Sequence, residues 1–143
     1  MLKGIPSILS PELLKILMEM GHGDEIVIAD GNFPAASSAK RLVRSDGNGT
    51  LDLLRAILQF FPLDQYVERP AALMAVVPGD PTSPQALWKD FLQVMKRYEP
   101  QFSDFEYVER FAFYERSRQA YAIIASSETA QYANIILKKG VVR

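Results

Sequence analysis

Residues 25–29 of this 143-residue chain read Glu-Ile-Val-Ile-Ala, a β-rich run with almost no polar interruption. A strand with one face in water alternates apolar and polar side chains. A strand that does not alternate has to be covered on both faces, as in a parallel or mixed sheet held between helices. Runs of similar character recur at 71–77, 121–125 and 134–137, with a short one at 42–44 and an alternating, half-exposed one at 105–109. Between them lie segments whose apolar residues fall three and four apart, the period of an amphipathic helix. This pattern predicts an α/β fold, a single layered domain over residues 1–143 with a mixed, partly parallel sheet flanked by helices.

The helix boundaries carry chemical signals. Ser10-Pro11-Glu12 places an N-cap hydroxyl, a first-turn proline and an acid at the positive end of the dipole. Leu13, Leu14, Leu17, Met18 and Met20 then form an apolar stripe that Gly21 ends. Thr50 is placed to cap a helix over 51–61, stopped by Pro62. Ser83-Pro84 opens another, with Leu87, Trp88, Phe91, Leu92, Met95 and Tyr98 on its apolar face. Trp88 reads as a core or interface residue. Residues 35–41 form a short helix or a loop, 110–118 a short helix, and 63–70 an irregular connection.

Composition removes whole classes of function. With 16 basic and 17 acidic residues there is no basic face for nucleic acid and no polybasic membrane anchor. The pairs Glu109-Arg110 and Glu115-Arg116 read as solvated helix faces. Without cysteine, disulfides, thiolate catalysis and iron–sulfur clusters fall away, and one histidine cannot build a multi-histidine metal site within a subunit. No apolar run approaches the length of a membrane span, and residues 1–4 lack the pattern of a signal peptide, so a cytoplasmic location is expected.

The single histidine, His22, sits in Gly21-His22-Gly23-Asp24 just before the strand at 25–29, and that strand delivers Asp30 into the turn Gly31-Asn32-Phe33-Pro34. An imidazole and a carboxylate are a candidate acid/base and binding pair. The alternative is that Gly21 is a helix C-cap, His22 a loop residue and Asp30 a cap for the turn. Nothing in the sequence places the two in one cleft. Gly21-His22-Gly23 precedes a strand instead of opening a helix, so it is no phosphate loop. Asp46-Gly47-Asn48-Gly49 lacks the final acidic ligand of a calcium loop. No serine stands in a nucleophile elbow.

Three blocks of the chain resemble a known family. They are Leu9-Ser10-Pro11-Glu12-Leu13-Leu14 with Met20-Gly21-His22-Gly23-Asp24-Glu25-Ile26, Asp30 and Asn32-Phe33-Pro34; then Arg110-Phe111-Ala112-Phe113-Tyr114-Glu115-Arg116; then residues 132–141, from Tyr132-Ala133-Asn134 to Gly140-Val141. In order and spacing they are similar to the sugar mutarotases of the ribose-pyranase and fucose-mutarotase type, and to the fucose branch in particular. The resemblance implies a cofactor-independent isomerase that exchanges the α and β anomers of L-fucose or a related reducing monosaccharide. It implies His22 as proton donor and Asp30, Arg110, Tyr132, Ala133 and Asn134 as sugar contacts. It also implies a homo-oligomer, up to a decamer, with sites near subunit boundaries. The aromatic stretch from Phe102 to Tyr114 is the candidate apolar surface for such packing.

The chemistry suits those residue types. Opening a cyclic hemiacetal takes a proton to the ring oxygen and one from the anomeric hydroxyl, and an imidazole, with an ordinary pKa of about 6.5, can give and reclaim one. Asp30 accepts from sugar hydroxyls, Arg110 donates through a planar fork, and Asn134 does both. Each has a plainer reading: Asp30 capping its turn, Arg110 paired with Glu106 or Glu109 at the surface, Tyr132 and Asn134 beginning the last strand. Ala133 stands where the family often has glycine, so it fits only if the position does not need a positive φ. Two other functions remain open: a non-catalytic monosaccharide-binding or sensing protein, and a ribose pyranase exchanging pyranose and furanose forms.

Overall fold

A computed structural model describes residues 1–143. The chain runs α1 (Pro11–Glu19), β1 (Glu25–Ala29), α2 (Ala35–Ser38), β2 (Leu42–Ser45), α3 (Thr50–Leu58), β3 (Ala71–Met74), α4 (Gln85–Tyr98), β4 (Glu106–Val108), α5 (Arg110–Gln119), β5 (Ala122–Ser126) and β6 (Ile135–Lys138). The strands form one sheet in the order β2-β5-β1-β6-β3-β4. β5 pairs in parallel with β1 and β2, and β3 with β4; β6 runs antiparallel between β1 and β3. The expected mixed α/β sheet is present.

The sheet is covered on both faces. Along β1, Ile26 and Ile28 enter one apolar cluster with Leu13, Leu54, Ile57 and Phe91. Val27 and Ala29 enter a second, with Phe33 and Phe113, on the opposite face. These four side chains are fully buried, which is why they are uninterrupted by polar residues; only Glu25, at the start of the strand, is partly exposed.

Several boundaries depart from the sequence reading. The strand expected over 71–77 ends at Met74. The Ala75 amide still bonds to Val108, but beyond it the chain leaves the sheet and the Val77 amide turns to the hydroxyl of Tyr132. Thr50 does not cap α3; it lies in the first turn, its buried hydroxyl without a partner. The cap comes from Glu128, whose carboxylate accepts from the Thr50 amide. Arg116 is no solvated helix charge. It bridges Glu25 at the start of β1 (Nη2 to Oε2, 2.6 Å) and Glu106 at the start of β4 (Nη1 to Oε2, 2.7 Å), tying α5 to the sheet. Of the aromatic stretch expected at the surface, Phe102, Phe105 and Phe113 are core, while Tyr107 and Phe111 remain exposed.

Candidate active site

The strand order creates a place for a ligand. From β1 the chain moves toward β2 on one side of the sheet; from β3 it moves toward β4 on the other. Ligands of open α/β sheets bind outside the carboxyl ends of the parallel strands at such a reversal. Here β6 fills the gap between β1 and β3, so its entry, residues 131–134, arrives beside their carboxyl ends.

A cavity of about 260 Å³ lies there, lined by Asp30, Phe33, Met74, Arg110, Tyr132 and Asn134 among others. This is below the roughly 300 Å³ at which pockets for drug-sized ligands begin. Asp30 and Asn134 exchange two hydrogen bonds. The Asp30 amide donates to Asn134 Oδ1 at 2.7 Å, and Asn134 Nδ2 donates to Asp30 Oδ2 at 3.1 Å. Asp30 Oδ1 also accepts the Asn32 amide at 3.0 Å, so the residue caps its turn and lines the cavity at once. Both side chains are buried. Burial pushes the Asp30 carboxyl above the usual carboxylate range, and the nearby Glu128 adds to this. The bonds from Asn32, Asn134 and Phe33 pull the other way without prevailing.

Arg110 opens α5 at the rim. Neither surface pairing considered for it forms: Glu109 caps α5 through the amides of Phe111 and Ala112, and Glu106 is taken by Arg116. Its Nε donates to the Tyr114 hydroxyl at 3.3 Å, leaving the rest of the fork free to donate into the cavity. Tyr132 and Asn134 precede β6. Ala133 is fully buried in the apolar core with ordinary backbone, and the positive φ falls one residue earlier, at Tyr132 (59°). The Tyr132 hydroxyl donates to Asp80 Oδ2 at 2.5 Å. That bond holds the phenol above its ordinary range and the Asp80 carboxyl below its own, so the proton stays on the tyrosine.

His22 is not among the residues around this cavity. It precedes β1 whereas Asp30 follows it, and a five-residue strand separates its ends by about 15 Å. Its Nε2 lies 3.0 Å from Asp64 Oδ1, with the Tyr66 ring centroid 5.2 Å away. An ionised carboxylate only accepts, so Nε2 carries the shared proton and Nδ1 is left for exchange. The imidazole is 44% exposed and the carboxylate 5%. Burial alone would raise the Asp64 carboxyl, but the Tyr66 amide, the His22 ring and Lys138 outweigh it and keep it below the usual range. Within one chain, then, Asp30, Arg110, Tyr132 and Asn134 come together, and His22 stands apart.

The sequence reading passed over Asp64, which it left in an irregular connection, and Asp80. Neither carries a local signal, since the partners lie 42 and 52 residues away in the chain. A larger cavity, about 390 Å³, lies beside Asp64, where Glu99 is engaged by the Leu63 amide and the Gln101 side chain. No group of three His, Cys, Asp or Glu side chains is arranged to hold a metal ion.

Residues 3–142 match the model of the RbsD / FucU transport protein family. The chain is 50% identical over 141 residues to the L-fucose mutarotase of Actinobacillus pleuropneumoniae serotype 5b (strain L20), covering 99% of this chain and 97% of that one. It is 48% identical over 145 residues to the fucose mutarotase of Homo sapiens, covering 98% and 94%. Its fold is similar to the crystal structure of the Streptococcus pneumoniae fucose mutarotase in complex with L-fucose, with a TM-score of 0.94, 51% identity, and 99% and 100% of the two chains covered.

Proposed function

The chain belongs to the RbsD / FucU transport protein family, and on that premise we propose that it is a sugar mutarotase interconverting the α and β anomers of L-fucose or a closely related reducing monosaccharide. The observation that carries this reading is the end-to-end likeness, at about half identity, to proteins called fucose mutarotase. The small polar cavity at Asp30 is consistent with it. Asp30 and Asn134 would hold ring hydroxyls from below, and Arg110 would donate from the rim. Phe33, Met74 and Val77 offer apolar surface to the carbon face of the sugar.

Ring opening needs a proton donor at the ring oxygen, and we assign that task to His22. Because His22 lies at the far end of β1 from the cavity, a single chain does not complete the site. A second copy supplying its own His22 to this cavity would, and the site is therefore read as shared between subunits of a homo-oligomer. In that arrangement Asp64 fixes the ring through Nε2, and Nδ1 meets the sugar.

Saturation-transfer NMR on L-fucose tests the reading. The protein should accelerate anomer exchange, and His22→Ala should lose that acceleration by about 10²–10⁴-fold, the usual worth of positioned acid–base catalysis, while still binding the sugar. Wild-type exchange in the variant would remove His22 from the mechanism. Saturable binding by the unaltered protein with no acceleration would favour the sugar-binding alternative. Faster exchange of ribose pyranose and furanose forms than of fucose anomers would favour the pyranase one.

A further inference from the structure

Tyr132 is the one non-glycine residue with a positive φ, 59°. A side-chain-bearing residue there is strained and persists only where its surroundings over-determine it. The surroundings in this case are one stretch of chain, the connection from β3 into the first turn of α4. Trp88 Nε1 donates to the Tyr132 carbonyl at 2.9 Å. The Tyr132 hydroxyl donates to Asp80 at 2.5 Å and accepts from the Val77 amide at 3.2 Å. Alongside, Thr82 Oγ1 donates to Gln131 Oε1 at 2.7 Å. The preceding residue, the hydroxyl and the carbonyl of Tyr132 are thus all held from the same side.

Two consequences follow. The Tyr132 hydroxyl has spent its proton on Asp80, so what Tyr132 offers a ligand is ring surface and not a proton. The clamp also sets the direction in which the chain enters β6, and so the placement of Asn134 against Asp30, which depends on bonds of 2.7 and 3.1 Å.

We propose that Asp80 and Trp88 are positioning residues, which hold Tyr132 in its left-handed turn and through it aim the Asp30–Asn134 pair at the sugar. The proposal rests on the mutarotase reading above. Neither residue need touch the reacting atoms. Their role is to keep the pocket set before the ligand arrives, so that no binding energy goes into ordering residues 131–134.

The experiment is an L-fucose titration followed by NMR, with anomer exchange measured at saturating sugar and thermal unfolding recorded for each protein. Asp80→Ala and Trp88→Phe should each raise the Kd about tenfold, the size expected for losing one well-placed hydrogen bond, with exchange at saturation changed less than about threefold, and Tyr132→Phe, which alters a residue lining the cavity, should raise the Kd by a similar factor. Asp80→Asn keeps an acceptor oxygen and should restore affinity to within about threefold of wild type. The double variant Asp80→Ala/Tyr132→Phe should be well short of the product of the two single losses, because both changes delete the Tyr132–Asp80 bond, although each also frees one backbone amide, Thr82 or Val77. A purely structural role would lower the unfolding temperature and leave Kd alone, and that result overturns the proposal. So does a double variant whose losses multiply to about a hundredfold. Should Asp80→Ala not fold, Tyr132→Phe and Trp88→Phe decide the matter by the same criteria. If the unaltered protein neither binds L-fucose nor exchanges its anomers, it is the mutarotase reading that fails.

Discussion

The His22 imidazole and the Asp64 carboxylate, 42 residues apart in sequence, meet with Nε2 3.0 Å from Oδ1. The contact joins the turn before β1 to the connection after α3, and Asp64 is itself held by the hydrogen bond its backbone N–H donates to the Lys138 carbonyl at the end of β6. A flexible, partly exposed ring is thereby given one orientation and one tautomer. Asp64 is held below the usual carboxylate range, so it stays an acceptor for the ring.

Asp64→Asn isolates the charge. The amide oxygen can still accept from His22 and from the Tyr66 amide, so the turn should survive. The exchange rate at saturating L-fucose should fall by roughly 10-fold or more, within the range of acid–base contributions. L-fucose affinity should stay within about twofold, because Asp64 is not part of the cavity at Asp30. Paired NMR exchange and titration measurements check both halves.

A site shared between copies predicts complementation. His22→Ala and Asp30→Ala proteins should each be impaired alone. Co-expressed or dissociated and reassembled together, they should recover about a quarter of wild-type exchange, the fraction of sites pairing an intact cavity with an intact histidine on random mixing. No recovery in verified mixed oligomers, or a monomeric mass in light scattering of an active protein, would dispose of the shared site.

The buried Asp30 carboxyl sits above its ordinary range, chiefly through desolvation. Its ionised form accepts from sugar hydroxyls, so L-fucose affinity should begin to fall on acidification at a higher pH than an exposed aspartate would give. Asp30→Asn should flatten that limb. The linked stability term has the opposite sense. Between the unfolded and the raised folded pKa the native state holds more protons, so the Asp30 contribution is present below the unfolded value and is lost as pH rises through the folded one. Titration of affinity and of denaturation midpoint against pH, wild type beside Asp30→Asn, reads both.

Phe113 is fully buried and lies edge-on to Phe33, with ring centroids 6.1 Å apart, on the sheet face next to the cavity. Phe113→Ala should cost about 3–5 kcal/mol by denaturant unfolding, since α5 is fixed to the sheet and can only partly collapse into the void. Because Phe33 lines the cavity, the same change should also weaken sugar binding.

What was legible beforehand was local. The run at 25–29 suits a strand covered on both faces, because β-prone residues with so little polar character leave no face for water, and the structure has that strand. The cap that begins α1 needs only Ser10 and the Leu13 amide three residues on. The lone histidine, the acid beyond the strand and the residues before β6 stood out by type and by family likeness alone. The tertiary structure alone decided that β6 runs antiparallel through the middle of the sheet, bringing Asn134 to Asp30 across 104 residues. It also put Glu128 instead of Thr50 at the start of α3, and put His22 beside Asp64 at the end of β1 away from the cavity. The division has a physical cause. Propensity, capping and hydrophobic period are settled among neighbours along the chain, whereas strand order and side-chain partnership depend on which distant surfaces bury each other, and no short window of residues contains both.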